Sequence, residues 1–356
     1  DLDFAQNLLD DYGIPNDLTA LQQRSEARAL YHEFLENPAG FGAPLTVRKH
    51  MDDWEFEEAI RRIEQSNAVY DELAEADRLL PEADLMPIVQ PQFEAASNEQ
   101  ELDEVTDLVA LLAEGANQLV GPLGDLSDAL PPGWIFPVAV NSALRDQRFD
   151  DVMPAITPAI AAAQYVAEAN EFLPQAGILD KYQARFENTA TTTALEQLAS
   201  DARSDSRNAS LASFALDELQ NVVGDWTIPD AVTRPLEQGQ LEVGLKIVED
   251  ATAVIVAARD ADLALARAAD FDLVETGLRE EVQPLFEGVR TGAEMAALRE
   301  DIEARGGAAA RVGDALGEIS LIVPDWEIPV VIVEPVAAGD YFAAVAPAET
   351  AQQWVE

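Results

Sequence analysis

The chain has 356 residues, of which 48% are hydrophobic, and its 67 Asp and Glu against 22 Lys and Arg give a formal net charge of −45. A surface of this sign repels nucleic acid phosphates and anionic lipid headgroups, so we expect neither as a partner. The chain contains no cysteine, which excludes disulfides, thiolate metal sites and cysteine nucleophiles. Its length exceeds what one compact core usually organises, which favours several units.

A short phrase, the Trp-Pro phrase, recurs along the chain. It reads Gly-Trp-Ile-Phe-Pro at 133–137, Asp-Trp-Thr-Ile-Pro at 225–229 and Asp-Trp-Glu-Ile-Pro at 325–329, with a degenerate copy, Phe-Gly-Ala-Pro, at 41–44. Successive prolines lie 93, 92 and 100 residues apart. A nearly fixed period of this kind indicates tandem repeats. We predict an all-α, tandem helical-repeat solenoid with about four helices per unit of 92–100 residues.

The phrase also divides the chain into units. Residues 41–132, 133–224 and 225–324 are the complete units, whereas residues 1–40 read as the second half of a unit and residues 325–356 as a first half. Two hypotheses account for such ends. The chain is an excerpt of a longer array, or its terminal half-units complete each other, which closes a ring or joins molecules head to tail.

Each unit opens with a predicted helical hairpin. Apolar residues recur at intervals of three to five after the phrase proline, and a turn is expected near residues 52–53, 146–147, 239–240 and 339–340. The proline suits the first helical turn, where its missing N–H costs nothing and its fixed φ helps. The tryptophan of the phrase is expected to pack over the junction between units; a groove for glycans or peptides is the alternative.

The second half of each unit repeats as well. A Phe-Glu pair begins at Phe93, Phe186 and Phe286, and a Thr-x-x-Glu spacing at Thr193 predicts a helix start with a capping box. The third complete unit has about eight extra residues, roughly two helical turns, so we expect a longer hairpin near 243–278. The repeat positions to which we assign a structural role are Trp134, Pro137, Trp226, Pro229, Trp326, Pro329, Phe93, Phe186 and Phe286.

No convincing β-strand is apparent in the sequence. The nearest candidate is the apolar run at 319–323 and 330–333, which straddles the last Trp-Pro phrase. The period of the surrounding pattern favours a buried connection followed by a helix start.

Catalytic and metal-binding patterns are poorly represented. The two histidines, His32 and His50, have no second imidazole one helical turn away, and a metal contact by His50 with Asp53 lacks further ligands. We predict no catalytic residue, no cofactor and no metal site, and leave open weak binding of Ca²⁺ by surface carboxylates. Trp54 and Trp354 lie off the repeated column and are better candidates for contact residues. No apolar stretch has the roughly 20 residues of a membrane span.

The large excess of acidic over basic residues has three candidate causes. We favour a salt-rich or cation-rich environment outside the cytoplasm, hence an extracytoplasmic or cell-surface location. The cytoplasm of a halophile is the alternative. Mimicry of DNA is the third, and the tandem organisation disfavours it.

The first hairpin of each unit resembles the tetratricopeptide-type helical hairpin. The resemblance rests on a helix, a Gly-Asp-like turn, an aromatic residue and alanines, as in residues 339–344. It covers 25 to 30 residues of each unit, and the period of 92–100 departs from the 34 of that family. The chain also resembles helical-repeat ectodomains of bacterial envelope proteins. Both resemblances imply a protein-binding or scaffolding solenoid and carry over no catalytic residue.

Two functions follow from these observations. The first is a non-enzymatic structural or interaction array that binds a protein partner or associates with itself. The second is the helical-repeat scaffold segment of a larger enzyme or receptor whose active domain lies outside this chain.

Overall fold

In the computed structural model, the described residues are 18–266, 277–324 and 326–355. Every regular element among them is helical, so the all-α prediction is confirmed. The chain divides into two compact units, the first comprising Asp1–Ala161 with Phe186–Gln197 and the second Ala162–Arg185 with Leu198–Glu356.

Fifteen α-helices are found in the described residues. They are α1 (Leu18–Leu35), α2 (Leu45–Asp52), α3 (Phe56–Leu79), α4 (Met86–Ala95), α5 (Glu99–Ala129), α6 (Val138–Arg145), α7 (Phe149–Phe172), α8 (Ile178–Glu187), α9 (Thr192–Val223), α10 (Asp230–Glu237), α11 (Leu241–Ala266), α12 (Leu278–Glu287), α13 (Gly292–Ile322), α14 (Val330–Ala337) and α15 (Tyr341–Val355). Short 3₁₀ turns lie at Pro81–Ala83 and Pro174–Ala176.

The helix lengths recur along the chain. Each phrase proline precedes an eight-residue helix (α2, α6, α10, α14), and a long helix of 24, 24, 26 or 15 residues follows (α3, α7, α11, α15). Next come a ten-residue helix (α4, α8, α12) and a helix of 31 or 32 residues (α5, α9, α13). The phrase prolines lie at the N-cap with ψ between 142° and 152°, one residue before the predicted first turn.

The predicted turns close the eight-residue helices. The second residue after each helix is left-handed, with φ of 66° at Trp54, 52° at Gln147, 68° at Gly239 and 71° at Gly339. The following N–H donates to the carbonyl five residues back, as in the Schellman motif; these bonds measure 2.8–2.9 Å. Glycine suits this position because a Cβ is strained there.

In the first compact unit, α3 packs against α1 and α5. Gln65 on α3 donates to Asp103 and Thr106 on α5, at 2.9 and 3.1 Å. Arg62, three residues earlier on α3, pairs with Glu99 at the start of α5. Because the contacts advance together along both helices, α3 and α5 run parallel.

In the second compact unit, α13 packs against α11 and α15. A Cβ on Gly306 would lie 3.0 Å from the Ala257 carbonyl oxygen, and one on Gly313 would lie 2.4 Å from that of Ala264. Both glycines face the same helix seven residues apart, so α11 and α13 run parallel at very close approach.

Three predictions need correction or restriction. The cap of α9 is Thr191, whose Oγ1 accepts from the Ala194 N–H at 3.2 Å, so Thr193 lies inside the helix. The apolar runs at 319–323 and 330–333 end one helix and begin the next, as predicted, but they are largely exposed: Leu321 and Val331 are exposed, whereas Ile319 and Ile332 are buried. A longer hairpin was expected near 243–278. There, α11 is two residues longer than α3 and α7, and α12 has the same ten residues as α4 and α8. Residues 267–276 lie outside the described part.

Candidate functional site

The two repeated aromatic columns meet in space. The phenylalanine of each Phe-Glu pair packs against the first aromatic ring of the Trp-Pro phrase in the same repeat. Both rings are buried in every described pair. The ring centroids lie 5.6, 5.2 and 5.4 Å apart in Phe41–Phe93, Trp134–Phe186 and Trp226–Phe286. Pairs in this range contribute about 0.5–1.5 kcal/mol beyond the area that they bury.

The glutamate that follows each phenylalanine binds the phrase backbone. The carboxylates accept the N–H of the residue after the phrase aromatic, at 2.8 Å from Gly42 to Glu94, 3.4 Å from Ile135 to Glu187 and 3.0 Å from Thr227 to Glu287. We call this combination of ring contact and carboxylate the Phe-Glu clamp. The backbone bonds lower the pKa of Glu94 and of Glu287 below the usual glutamate value, because they favour the charged form.

A backbone bond extends the clamp to the helix after the phrase. The N–H of Thr46 donates to the carbonyl of Ala96 at 2.9 Å, and that of Ala139 donates to Thr189 at 2.8 Å. The position is buried, at 1% exposure for Thr46 and 9% for Ala139 and Ala231. In the first two complete repeats, the second half thus covers the start of its own first hairpin.

The hairpin α14–α15 has a different environment at the same positions. Val331, the counterpart of Thr46, Ala139 and Ala231, is 58% exposed. Trp326 is half-buried, whereas Trp134 and Trp226 are buried. Within the described residues, the start of α14 is therefore less covered than the starts of α2, α6 and α10.

The sequence identified the residues of the clamp but not their contact. The signal was the separation of the two columns, which is 52 residues from Phe41 to Phe93 and from Trp134 to Phe186. It becomes 60 residues where the third complete repeat is longer. A separation that stays fixed across two repeats is what a packed pair requires.

The proposed contact tryptophans are exposed. Trp54 is 66% exposed, and the Arg24 guanidinium lies over its ring at 4.7 Å. Such cation–π contacts are worth about 0.5–1 kcal/mol at exposed sites. Trp354 on α15 is 86% exposed.

No metal-binding cluster emerges from the described side chains. Among them, no three His, Cys, Asp or Glu residues are placed to hold a metal ion together. The His50 ring contacts Glu55 at 2.5 Å, and Glu55 is thus its acidic neighbour where Asp53 was the candidate. Within the described ranges, no helix combines the length and the apolar character needed to cross a membrane.

A groove of about 570 Å³ lies in the first compact unit between α5 and the start of α7. Leu111, Phe149 and Met153 contribute apolar surface to it. A Cβ on Gly115 would lie 2.3 Å from the Phe149 ring, so glycine is what admits the ring at this place. The groove therefore lies beside a close contact of α7 with α5.

Comparisons of the chain with protein-family models, with curated proteins and with solved structures found no match. The recurring clamp is therefore the basis for a functional proposal.

Proposed function

We propose that the chain is a non-enzymatic tandem helical-repeat array with a structural or protein-interaction role. Its units are residues 41–132, 133–224 and 225–324, with half-units on either side, stacked as a solenoid. The array lies outside the cytoplasm or at the cell surface, and a halophile cytoplasm is the alternative. It acts through a protein partner or through a second copy of itself.

The observation that carries this proposal is the Phe-Glu clamp. The same ring contact and the same carboxylate-to-backbone bond occur three times, each time between the Trp-Pro phrase and the second half that follows it. The same contact at the same position of each repeat is expected of an array of equivalent units, since each unit must bury its apolar face on a neighbour.

Two further features support an interaction role. The tetratricopeptide-like hairpin implies a scaffold that presents helical faces. The net charge of −45 keeps such faces soluble and gives them a long-range attraction for basic protein surfaces. Mutual repulsion between acidic copies makes any self-association dependent on salt.

The proposal is tested by replacing Phe286 with alanine and following amide hydrogen exchange. In a repeat array, the loss of about 3 kcal/mol expected for a buried Phe→Ala change stays with near neighbours. We expect α10 and α12 to lose protection while α2 and α4 keep theirs. The matched control is Leu285→Ala, because Leu285 is the adjacent residue and is 51% exposed. Equal loss of protection in α2 and α10 would contradict an array of repeats.

A further inference from the structure

The groove between α5 and the start of α7 differs from the equivalent places in the other repeats. The residue that begins the long helix of the hairpin is buried elsewhere, at 7% exposure for Phe56, 3% for Leu241 and 1% for Tyr341. Phe149, which begins α7, is partly exposed and lines the groove. In a repeated scaffold, a position that departs from its counterparts points to a role beyond the packing that all repeats share.

Two exposed apolar side chains accompany Phe149. Leu111 on α5 is 65% exposed and Met153 on α7 is 44% exposed. The residues equivalent to Leu111 on α9 and α13 are Ser204 and Ala304, which are polar or small. The fifth residue of α3, of α11 and of α15, which corresponds to Met153, is buried or partly buried. Large apolar side chains that converge in one groove mark an interaction surface, whereas scattered ones do not.

Gly115 shapes the floor of the groove. Glycine is less favourable than alanine in a helix interior, and α9 and α13 have Asn208 and Ala308 at this position. The missing Cβ lets the Phe149 ring rest on α5, since a Cβ on Gly115 would lie 2.3 Å from that ring. The sequence of α5 thus has a weak helix former at the place where the ring enters the groove.

The groove has an acidic rim. Glu114 on α5 and Asp150 and Asp151 at the start of α7 line it. Among the lining residues, Arg148 carries the positive charge, and it pairs with Asp146 and Asp151. An occupant with complementary charge therefore carries Lys or Arg beside its apolar surface.

The wall formed by α5 favours a helix as the occupant. Residues 111–119 line the groove from inside α5, where the backbone N–H and C=O groups are bonded within the helix. This wall offers no main-chain edge to an extended peptide, whereas a helix satisfies its own backbone and needs only side-chain contacts. At 1.5 Å per residue, the lining stretch is roughly 12 Å long, which matches apolar anchors at positions i, i+4 and i+7 of a helix.

We propose that this groove binds a basic amphipathic helix of another protein. Its apolar anchors contact Leu111, Phe149 and Met153, and its Lys or Arg side chains face the acidic rim. A second copy of this chain does not suit the groove, because its 67 acidic residues outnumber its 22 basic ones and like charges would meet. This inference rests on the proposed interaction role, to which it adds a site and a class of partner.

The test selects binders from random peptides displayed on phage, with the full parent chain and its Leu111→Ser variant as parallel baits. Leu111→Ser removes an apolar side chain at an exposed position where α9 itself has Ser204. The matched control is Val120→Ser, because Val120 is a 40% exposed residue of the same helix outside the groove, and α9 has Ser213 there. Met153→Gln tests the other wall with a side chain of similar length. Circular dichroism compares the helix content of the variants.

We expect the peptides enriched on the parent chain to share apolar residues at helical spacing and several Lys or Arg residues. Fluorescence anisotropy then measures the affinity of one enriched peptide. We expect it to bind about tenfold more weakly to Leu111→Ser and to Met153→Gln, as for the loss of one buried anchor, and unchanged to Val120→Ser. Binding is expected to weaken as NaCl rises, because salt screens the acidic rim.

The proposal is overturned if no peptide is enriched on the parent chain over Leu111→Ser, or if the enriched peptides lack net positive charge. Equal effects of Leu111→Ser and Val120→Ser also overturn it. If the hydrogen-exchange test of Phe286→Ala succeeds while this selection fails, the repeat array stands and only the groove is lost as its partner site. The reverse result leaves a binding groove on a chain that is not an array.

The location of the contact is tested by cross-linking. Because the chain has no cysteine, Gln118→Cys in the groove gives a single attachment point for a photoreactive maleimide. Asn117→Cys is the matched control, since Asn117 is exposed on the same helix but does not line the groove. We expect the enriched peptide to cross-link to the first variant and not to the second. Equal yields contradict the assignment.

Discussion

At the level of single residues, a few side chains fix the junctions of this protein. Trp134 and Trp226 are buried against a phenylalanine from the second half of the same repeat. The glutamate that follows this phenylalanine accepts a hydrogen bond from the backbone N–H of the residue after the tryptophan. The ring contact excludes water and sets the distance between the phrase and the second half of the repeat. The hydrogen bond to the charged carboxylate is directional, so the two contacts together fix how these segments pack.

Helix capping provides a prediction at this level. Replacing Thr191 with alanine is expected to lower the free energy of unfolding by about 1 kcal/mol, because the Ala194 N–H loses its acceptor. Thr193, which lies one residue inside the helix, serves as the control, and its replacement is expected to change the free energy by less than about 0.5 kcal/mol. Urea denaturation measures both. A larger effect at Thr193 would show that Thr193 caps the helix, as the sequence predicts.

At the level of helices, the second compact unit depends on small residues. Gly306 and Gly313 let α13 approach the backbone of α11, and alanines occupy the facing positions. A pattern of small residues does not identify its partner helix in the sequence, since alanine and glycine are also common on exposed faces. Only the packed structure shows which glycines are needed.

The approach of α11 to α13 can be tested with two glycines of one helix. Gly313→Ala is expected to destabilise the fold by about 1–3 kcal/mol, because the new Cβ would meet the Ala264 carbonyl at 2.4 Å. Gly307→Ala meets no atom within 4 Å and is expected to be neutral or stabilising by up to about 1 kcal/mol. Thermal and urea denaturation followed by circular dichroism compare them. Equal effects would mean that the helices are further apart than described.

Ion pairs at equivalent positions have opposite polarity in successive repeats. Lys181 binds Asp205 at 2.7 Å, whereas Glu281 binds Arg305 at the corresponding positions of the next repeat. In each pair the partners are 24 residues apart and join the ten-residue helix to the long helix that follows it. The reversal disfavours pairing of a short helix with the wrong long helix, because like charges would then meet.

At the level of the whole molecule, the net charge of −45 dominates the response to salt. Raising NaCl from about 0.01 M to about 1 M shortens the Debye length from roughly 30 Å to roughly 3 Å. We therefore expect the thermal midpoint to rise by several degrees as repulsion is screened. Calorimetry in CaCl₂ at matched ionic strength separates screening from cation binding, because only binding makes Ca²⁺ more effective. A midpoint that falls with NaCl would show that attractive surface pairs outweigh the repulsion.

Much of the secondary structure could be predicted from the sequence. The period of the Trp-Pro phrase and the apolar spacing after each proline led to helical hairpins, and the turns near 52–53, 146–147, 239–240 and 339–340 were found there. The cap of α9 was misplaced because three consecutive threonines, at 191–193, stand at its start, and only the folded helix shows that Thr191 accepts the Ala194 N–H. Much of the apolar run at 319–323 and 330–333 is exposed although it was expected to be buried, because apolar composition alone does not show whether a covering helix is present.

The sequence by itself determined that this chain is helical, that it is strongly acidic and that its Trp-Pro phrase and Phe-Glu pair recur. These are local properties, since proline position, apolar period and charge act on the residues that carry them. Only the tertiary structure decided that the two columns meet in a clamp, that two glycines bring α11 against α13, and that Val331 lies open where its counterparts are covered. Contacts between residues 52 or 60 positions apart depend on how the helices pack, and that packing is a property of the folded chain as a whole.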